Sequence, residues 1–167
     1  MTDKIYNVLF LCTGNSARSI MAEALLGVLG RGRFHAFSAG SHPSGAVQPM
    51  AAELAQALGY DVSRIRSKSW DEFAAADAPA MDMVITVCDN AAGEACPVWL
   101  GHPAVAHWGV PDPVARTGSD EARKRAYVAA FATLRLRVEL LLSLPLDTMD
   151  RLVMQSKLRS IGEAGAE

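Results

Sequence analysis

Cys12, Gly14 and Arg18 stand in a C-x-G-x-x-x-R spacing at the end of an apolar run. That combination suits nucleophilic attack on a tetrahedral oxyanion. The stretch Cys12, Thr13, Gly14, Asn15, Ser16, Ala17, Arg18 can curl so that successive backbone N–H groups point inward, with Gly14 permitting a close approach. Helical spacing begins at Ala17, so a helix N-terminus adds partial positive charge to the cradle. The same groups, with Arg18, are expected to lower the Cys12 pKa below the ~8.5 of an unperturbed thiol and so produce a ready thiolate. Arg18 offers a planar fork of donors for two oxygens at once. Ser19 is placed to donate a hydrogen bond to the Cys12 sulfur. The plainer alternative is an inert cysteine closing a buried strand and an arginine on a helix surface.

The elements around these residues alternate. Residues 5–12 form a dense apolar, β-branched and aromatic run, the pattern of a strand covered on both faces. Ile20, Ala24, Leu25 and Val28 then share one helical face, and Gly30 and Gly32 supply a stop. Further strands are expected at 34–38, 83–88 and 104–108, with helices at about 47–58 and 119–144 and one more amphipathic helix at 146–161. The segment 63–79 has no assigned conformation, and 162–167 is expected to fray. The fold class is therefore α/β: a single three-layer domain whose four-stranded parallel sheet is flanked by helices. A catalytic domain over 1–145 and a C-terminal helical extension and tail over 146–167 are expected. Ligands bind beyond the carboxyl ends of such strands. Cys12 and Cys88 each end a strand, and Asp112 follows the fourth one.

A chain of 167 residues, half apolar and one-fifth charged, fits one soluble domain that needs no metal or disulfide staple. The net charge of -2, with Arg31, Arg33, Arg64 and Arg66 scattered, excludes a nucleic-acid partner. No signal-peptide pattern is present and no run reaches the ~20 apolar residues of a membrane helix, so no membrane partner and a cytoplasmic location are expected. Three cysteines in a reducing compartment point to chemistry. Cys88, Cys96, His102 and His107 raise the question of zinc, but C-x7-C-x5-H-x4-H is not a usual ligand spacing, and no firm metal site is assigned.

The sequence C-T-G-N-S-A-R-S after a first strand, with H-W-G-x-x-D-P from His107 to Pro113, resembles the low-molecular-weight protein tyrosine phosphatases and their arsenate reductase branch over about residues 7–131. The resemblance implies that Asp112 is the general acid protonating the departing oxygen; the alternative is a turn-forming aspartate before Pro113. A phosphatase needs only Cys12, Arg18 and Asp112. Arsenate reduction takes two electrons, one thiol pair oxidised to one disulfide. Cys88 and then Cys96, in a segment of small residues, would extend such a relay after Cys12. The relay matches the thioredoxin-coupled reductases that the sequence resembles. Val114 and Ala115 follow Asp112-Pro113 where phosphatases of the family place aromatic residues, which favours a small inorganic anion.

The reading is thus an arsenate reductase for arsenic detoxification. A phosphomonoester phosphatase acting through a Cys12 phospho-enzyme is the alternative, and a non-catalytic oxyanion-binding module a second one. Ala17 stands where many relatives have cysteine, and the Cys88 to Cys96 spacing is one residue longer than in thioredoxin-coupled members. The reductant is therefore expected to be thioredoxin, or glutaredoxin or a low-molecular-weight thiol. No cofactor is required, although the resemblance also implies a potassium site at Asn15, Glu23, Ser38 and Asp71.

Overall fold

The computed structural model describes residues 4–88, 99, 102–115 and 117–164. Its parallel sheet has the order β2-β1-β3-β4, built from β1 (Tyr6–Cys12), β2 (Phe34–Gly40), β3 (Met83–Thr86) and β4 (Ala104–His107). β1 is central and buried on both faces. Val8 and Phe10 point into the main core, whereas Leu9 and Leu11 join a second cluster with Phe73, Met81 and Trp99. The chain leaves β1 first to one side, for β2, and later to the other, for β3. The carboxyl ends of β1 and β3 therefore flank a topological switch point, where open α/β sheets bind ligands. Cys12 and Cys88 stand at its two sides.

Among the described residues, α1 (Arg18–Leu29), α3 (Asp120–Leu142) and α4 (Arg151–Ile161) contribute to the main core, and α2 (Pro49–Leu58) packs on α1. Their ends follow local chemistry. Pro49 sits in the first turn of α2, and Gly59 closes it in the left-handed region at φ 102°. Ser119 and Asp150 accept hydrogen bonds from the Ala122 and Val153 N–H groups at the starts of α3 and α4. The other face of the sheet is covered by residues around the 3-10 turn Trp70–Phe73, which belongs to the segment left unassigned by sequence.

Several expected boundaries shift. The third strand, expected to reach Cys88, ends at Thr86, although the Val87 N–H still bonds to Leu11 O at 2.8 Å. The helix expected over 146–161 is split into a 3-10 turn at Leu146–Thr148 and α4, because Asp150 starts a new helix with its side chain. Residues 162–164, expected to fray, are hydrogen-bonded turn: Gly162 N–H reaches Leu158 O and Ala164 N–H reaches Ile161 O. Leu146, Met154, Leu158 and Ile161 are buried in the same core as the sheet. No described helix is long and apolar enough to cross a membrane.

Candidate active site

The loop from Cys12 to Arg18 is shaped from outside. Its carbonyls at Thr13, Gly14 and Ser16 accept hydrogen bonds from the backbone N–H groups of His42, Ser44 and Gln48 at 2.9–3.0 Å, and Gly14 O also accepts from Ser67 Oγ. Asn15 carries the left-handed conformation, φ 46°, that lets the chain turn. Its amide fixes that turn: Oδ1 accepts from the Lys68 N–H at 2.9 Å, and Nδ2 donates to Ser19 Oγ at 2.7 Å and Ser38 Oγ at 3.1 Å. Gly40, paired with Cys12 across the sheet, allows the close approach, since a Cβ there would lie 2.5 Å from Thr13 O. Sequence reasoning gave the special backbone role to Gly14. A Cβ at Gly14 would meet only Ser16 Oγ, at 3.7 Å, so within the protein the demand falls on Asn15 and Gly40.

Ala17, the residue preceding α1, has no side chain able to cap the helix, and the first turn carries no acidic residue. First-turn amides are thereby left for a ligand or for the sulfur. Cys12 Sγ lies 2.9 Å from Ser19 Oγ. Because Ser19 Oγ already accepts from Asn15, its own hydrogen is available to the sulfur. The Cys12 thiol is nevertheless pushed above its ordinary value, which corrects the expectation of a depressed pKa. Burial is the main cause, with 4 % of the residue exposed; it outweighs the hydrogen bonds from the Ser19 side chain, the Ser19 backbone and the Asn15 backbone, and the neighbouring Cys88 adds to the rise.

Arg18 opens α1 and spans to the loop after β4. Its Nη1 donates to Val110 O at 2.9 Å, and its Nη2 lies 3.5 Å from Asp112 Oδ2. Asp112 Oδ1 in turn accepts the Val114 N–H, so the carboxylate is partly exposed on a fixed turn. Cys88 is buried at the other side of the switch point, where its Sγ accepts the Thr13 N–H at 3.3 Å and lies 3.6 Å from Thr13 Oγ1. Cys12, Thr13, Arg18, Ser19, Cys88 and Asp112 are thus gathered at one edge. Cys96 lies outside the described residues.

Of the residues expected around potassium, Asn15, Glu23 and Ser38 come together and Asp71 does not. Ser38 Oγ donates to Glu23 Oε1 at 2.6 Å, and Tyr60 OH donates to Glu23 Oε2. Asp71 is exposed in the Trp70–Phe73 turn, with its N–H on Ser69 Oγ. Sequence reasoning missed Lys68, whose ammonium lies 3.4 Å from Ser38 Oγ and 3.8 Å from Glu23 Oε1, with only 8 % of the residue exposed. Its pKa is lowered, because burial outweighs the opposing pull of Glu23. A potassium ion does not fit beside a cation that already faces Glu23. No local signal marks Lys68, because a lysine between two serines reads as a solvated residue and its partner Glu23 is distant in sequence. Among the described residues no group of three or more His, Cys, Asp or Glu side chains is placed to hold a metal ion. His107 instead pairs through Nδ1 with Thr86 Oγ1 at 2.8 Å.

A family model described as Low molecular weight phosphotyrosine protein phosphatase matches residues 7–151. This chain belongs to that family. Within it, the chain is 35% identical over 116 residues to an arsenate reductase of Halalkalibacterium halodurans, covering 70% of this chain and 80% of that one. It is also 35% identical over 123 residues to an arsenate reductase of Bacillus subtilis, covering 74% and 84%. A solved structure described as an arsenate reductase in the phosphate binding state superposes with a TM-score of 0.67 at 28% identity, over 83% of this chain and 98% of the other. The four-stranded parallel sheet with flanking helices is therefore the fold of this phosphatase family.

Proposed function

We propose that this protein is an arsenate reductase that uses Cys12 as nucleophile and Cys88 as the second thiol. The observation that carries the reading is Cys88 Sγ held on the Thr13 N–H, one residue from Cys12 across the switch point. A phosphatase has no use for a thiol there. Arsenate reductases among the relatives support the same choice.

In this reading arsenate docks on the amides of residues 13–18 and on the Arg18 fork. The Cys12 thiol passes its proton to an oxygen of the docking dianion, and the resulting thiolate attacks arsenic. One arsenic–oxygen bond breaks, and the departing hydroxyl leaves as water with a proton from Asp112. Cys88 then attacks the Cys12 sulfur. A disulfide bond forms, the electron pair of the sulfur–arsenic bond stays on arsenic, and the Cys88 proton passes to the departing arsenite. Arsenic(V) becomes arsenic(III) as two thiols become one disulfide. Cys96 exchanges with Cys88 to release Cys12, and a dithiol protein of the thioredoxin or glutaredoxin type, or a low-molecular-weight thiol, restores the pair. Such recycling belongs in a reducing compartment, and we place the enzyme in the cytoplasm, in arsenic detoxification.

No cofactor takes part: the Lys68 ammonium supplies beside Glu23 the charge that the family resemblance assigns to potassium. Phosphomonoester hydrolysis is the second reading, because Arg18 and Asp112 suffice for it with Cys12. A steady-state assay on wild type and Cys88→Ser separates the two. Arsenate turnover with thioredoxin recycling is expected to vanish in the variant while any hydrolysis of an aryl phosphate persists. Arsenate turnover that survives the substitution overturns the assignment of Cys88.

A further inference from the structure

The loop bearing Asp112 is short of anchors of its own. Asp112 contacts Arg18 and its own turn, and the residues before it, Trp108, Gly109 and Val110, leave the edge strand β4. Backbone bonds to the end of β3, from the Trp108 N–H to Thr86 O at 2.7 Å and from the Val110 N–H to Val87 O at 3.2 Å, hold one side of that exit, and the C-terminus holds the other. Gln155 Oε1 on α4 accepts the Val105 N–H, occupying a donor that an edge strand leaves open. Trp108, fully buried, donates its indole N–H at 2.9 Å to Leu158 O in the last turns of α4. Gly162 follows directly, and a Cβ there would lie 2.3 Å from His107 O and 3.0 Å from Trp108 Cδ1. Backbone thus meets backbone at the root of the loop.

Arg137 of α3 completes the contact. It is 1 % exposed, and its Nε donates to Ala164 O at 3.1 Å while its Nη1 donates to Gly109 O at 3.0 Å. Burial pulls its pKa down, so holding a charged guanidinium there is costly. An apolar side chain would avoid that desolvation but would take from Gly109 O and Ala164 O the donors they now have. What only a rigid fork of donors provides is a bond in two directions, to the C-terminal turn and to the residue three before Asp112. The family match ends at residue 151, just where α4 begins.

We propose that α4 and the turn after it are a buttress that sets the position of the Asp112 loop, with Arg137 as the positioning residue joining the two. The proposal rests on the reading that Asp112 acts on the bound oxyanion. It adds an element beyond the family's matched span to the machinery that serves the reaction.

Three variants test it: Arg137→Met, Arg137→Lys, and a chain ending at Gly162, which keeps all of α4 and removes the Ala164 carbonyl. The first readout is amide hydrogen exchange. Exchange over residues 107–113 should rise in Arg137→Met, in the shortened chain and, because a lysine cannot bond both carbonyls, in Arg137→Lys as well, and remain unchanged over residues 12–20 in all three. The second is single-turnover arsenate reduction. The rate constant of Arg137→Met should fall by about 10-fold with the half-saturating arsenate concentration unchanged, and the loss should largely disappear in an Asp112→Asn background. Unchanged exchange at 107–113, or equal rate losses with and without Asp112, overturns the buttress. Should Arg137→Met fail to fold, the shortened chain gives both readouts. If Asp112→Asn alone leaves the rate untouched, the role of Asp112 falls, and exchange still decides whether the C-terminal turn anchors the loop.

Discussion

The Cys12 loop and the Asp112 loop meet at Arg18, and both are braced by distant residues, yet their functional groups are distributed differently along the chain. In the first, the reacting sulfur, its hydrogen-bond donor Ser19, the turn residue Asn15 and the cation Arg18 lie within one short stretch. In the second, only Asp112 is local: Trp108 leans on Leu158, Gly109 on Arg137, and Val110 on Arg18. A contiguous loop writes its chemistry in sequence, whereas a borrowed one needs the fold to assemble it. The difference also ranks what substitutions should do.

The sharpest contrast is between the two functional side chains. Cys12→Ser removes the attacking atom and should lower arsenate turnover by at least about 10⁴-fold. Asp112→Asn removes one proton donor and should cost about 10²- to 10³-fold, with arsenate affinity little changed. Comparable losses in a steady-state assay would erase the distinction between the loops.

Gly40→Ala probes how tightly the first loop is held. The added methyl meets Thr13 O and Asn15, so the loop or β2 must shift, at a cost of about 1–3 kcal/mol measured by denaturant unfolding. A neutral outcome would mean that the cradle is softer than its hydrogen bonds imply.

Titration of the thiol is a subtler test. Because burial raises the Cys12 pKa, alkylation by a neutral reagent should be slow at neutral pH and climb only above the range of an ordinary thiol. The corresponding contribution to stability is complete below the pKa of the unfolded thiol and is lost as pH rises through the folded one. Alkylation already at its plateau near neutral pH would restore the depressed value expected from the loop sequence.

The smallest expected effect is none: replacing potassium by choline at constant ionic strength should leave turnover and melting temperature unchanged, because Lys68 already faces Glu23 and Ser38. A saturable dependence on potassium would show that the ammonium does not fill that role.

These contrasts follow what was legible beforehand. The apolar run before Cys12 and the glycine stops gave the strand and helix order, since burial on both faces leaves a dense pattern. The C-x5-R spacing placed Cys12, Arg18 and Ser19 on one edge because the loop is contiguous. Desolvation of the thiol was invisible, for it arises when β2, β3 and α1 close around the sulfur. Lys68 and Arg137 were missed for a related reason. Each is a buried cation whose partners lie far away in the chain, and an isolated lysine or arginine in a sequence reads as surface. Asp71 was placed near Glu23 by resemblance, whereas its turn turns it outward.

The central claim is that arsenate is reduced by electrons from Cys12 and Cys88. Fully reduced protein should be mixed with one equivalent of arsenate in the absence of any other reductant, the arsenite and remaining thiols counted, and the disulfide located by peptide mapping. The account predicts one arsenite for every two thiols lost, a disulfide that includes Cys88, and no arsenite from Cys12→Ser. Arsenite released without thiol loss, or a disulfide lacking Cys88, would contradict it.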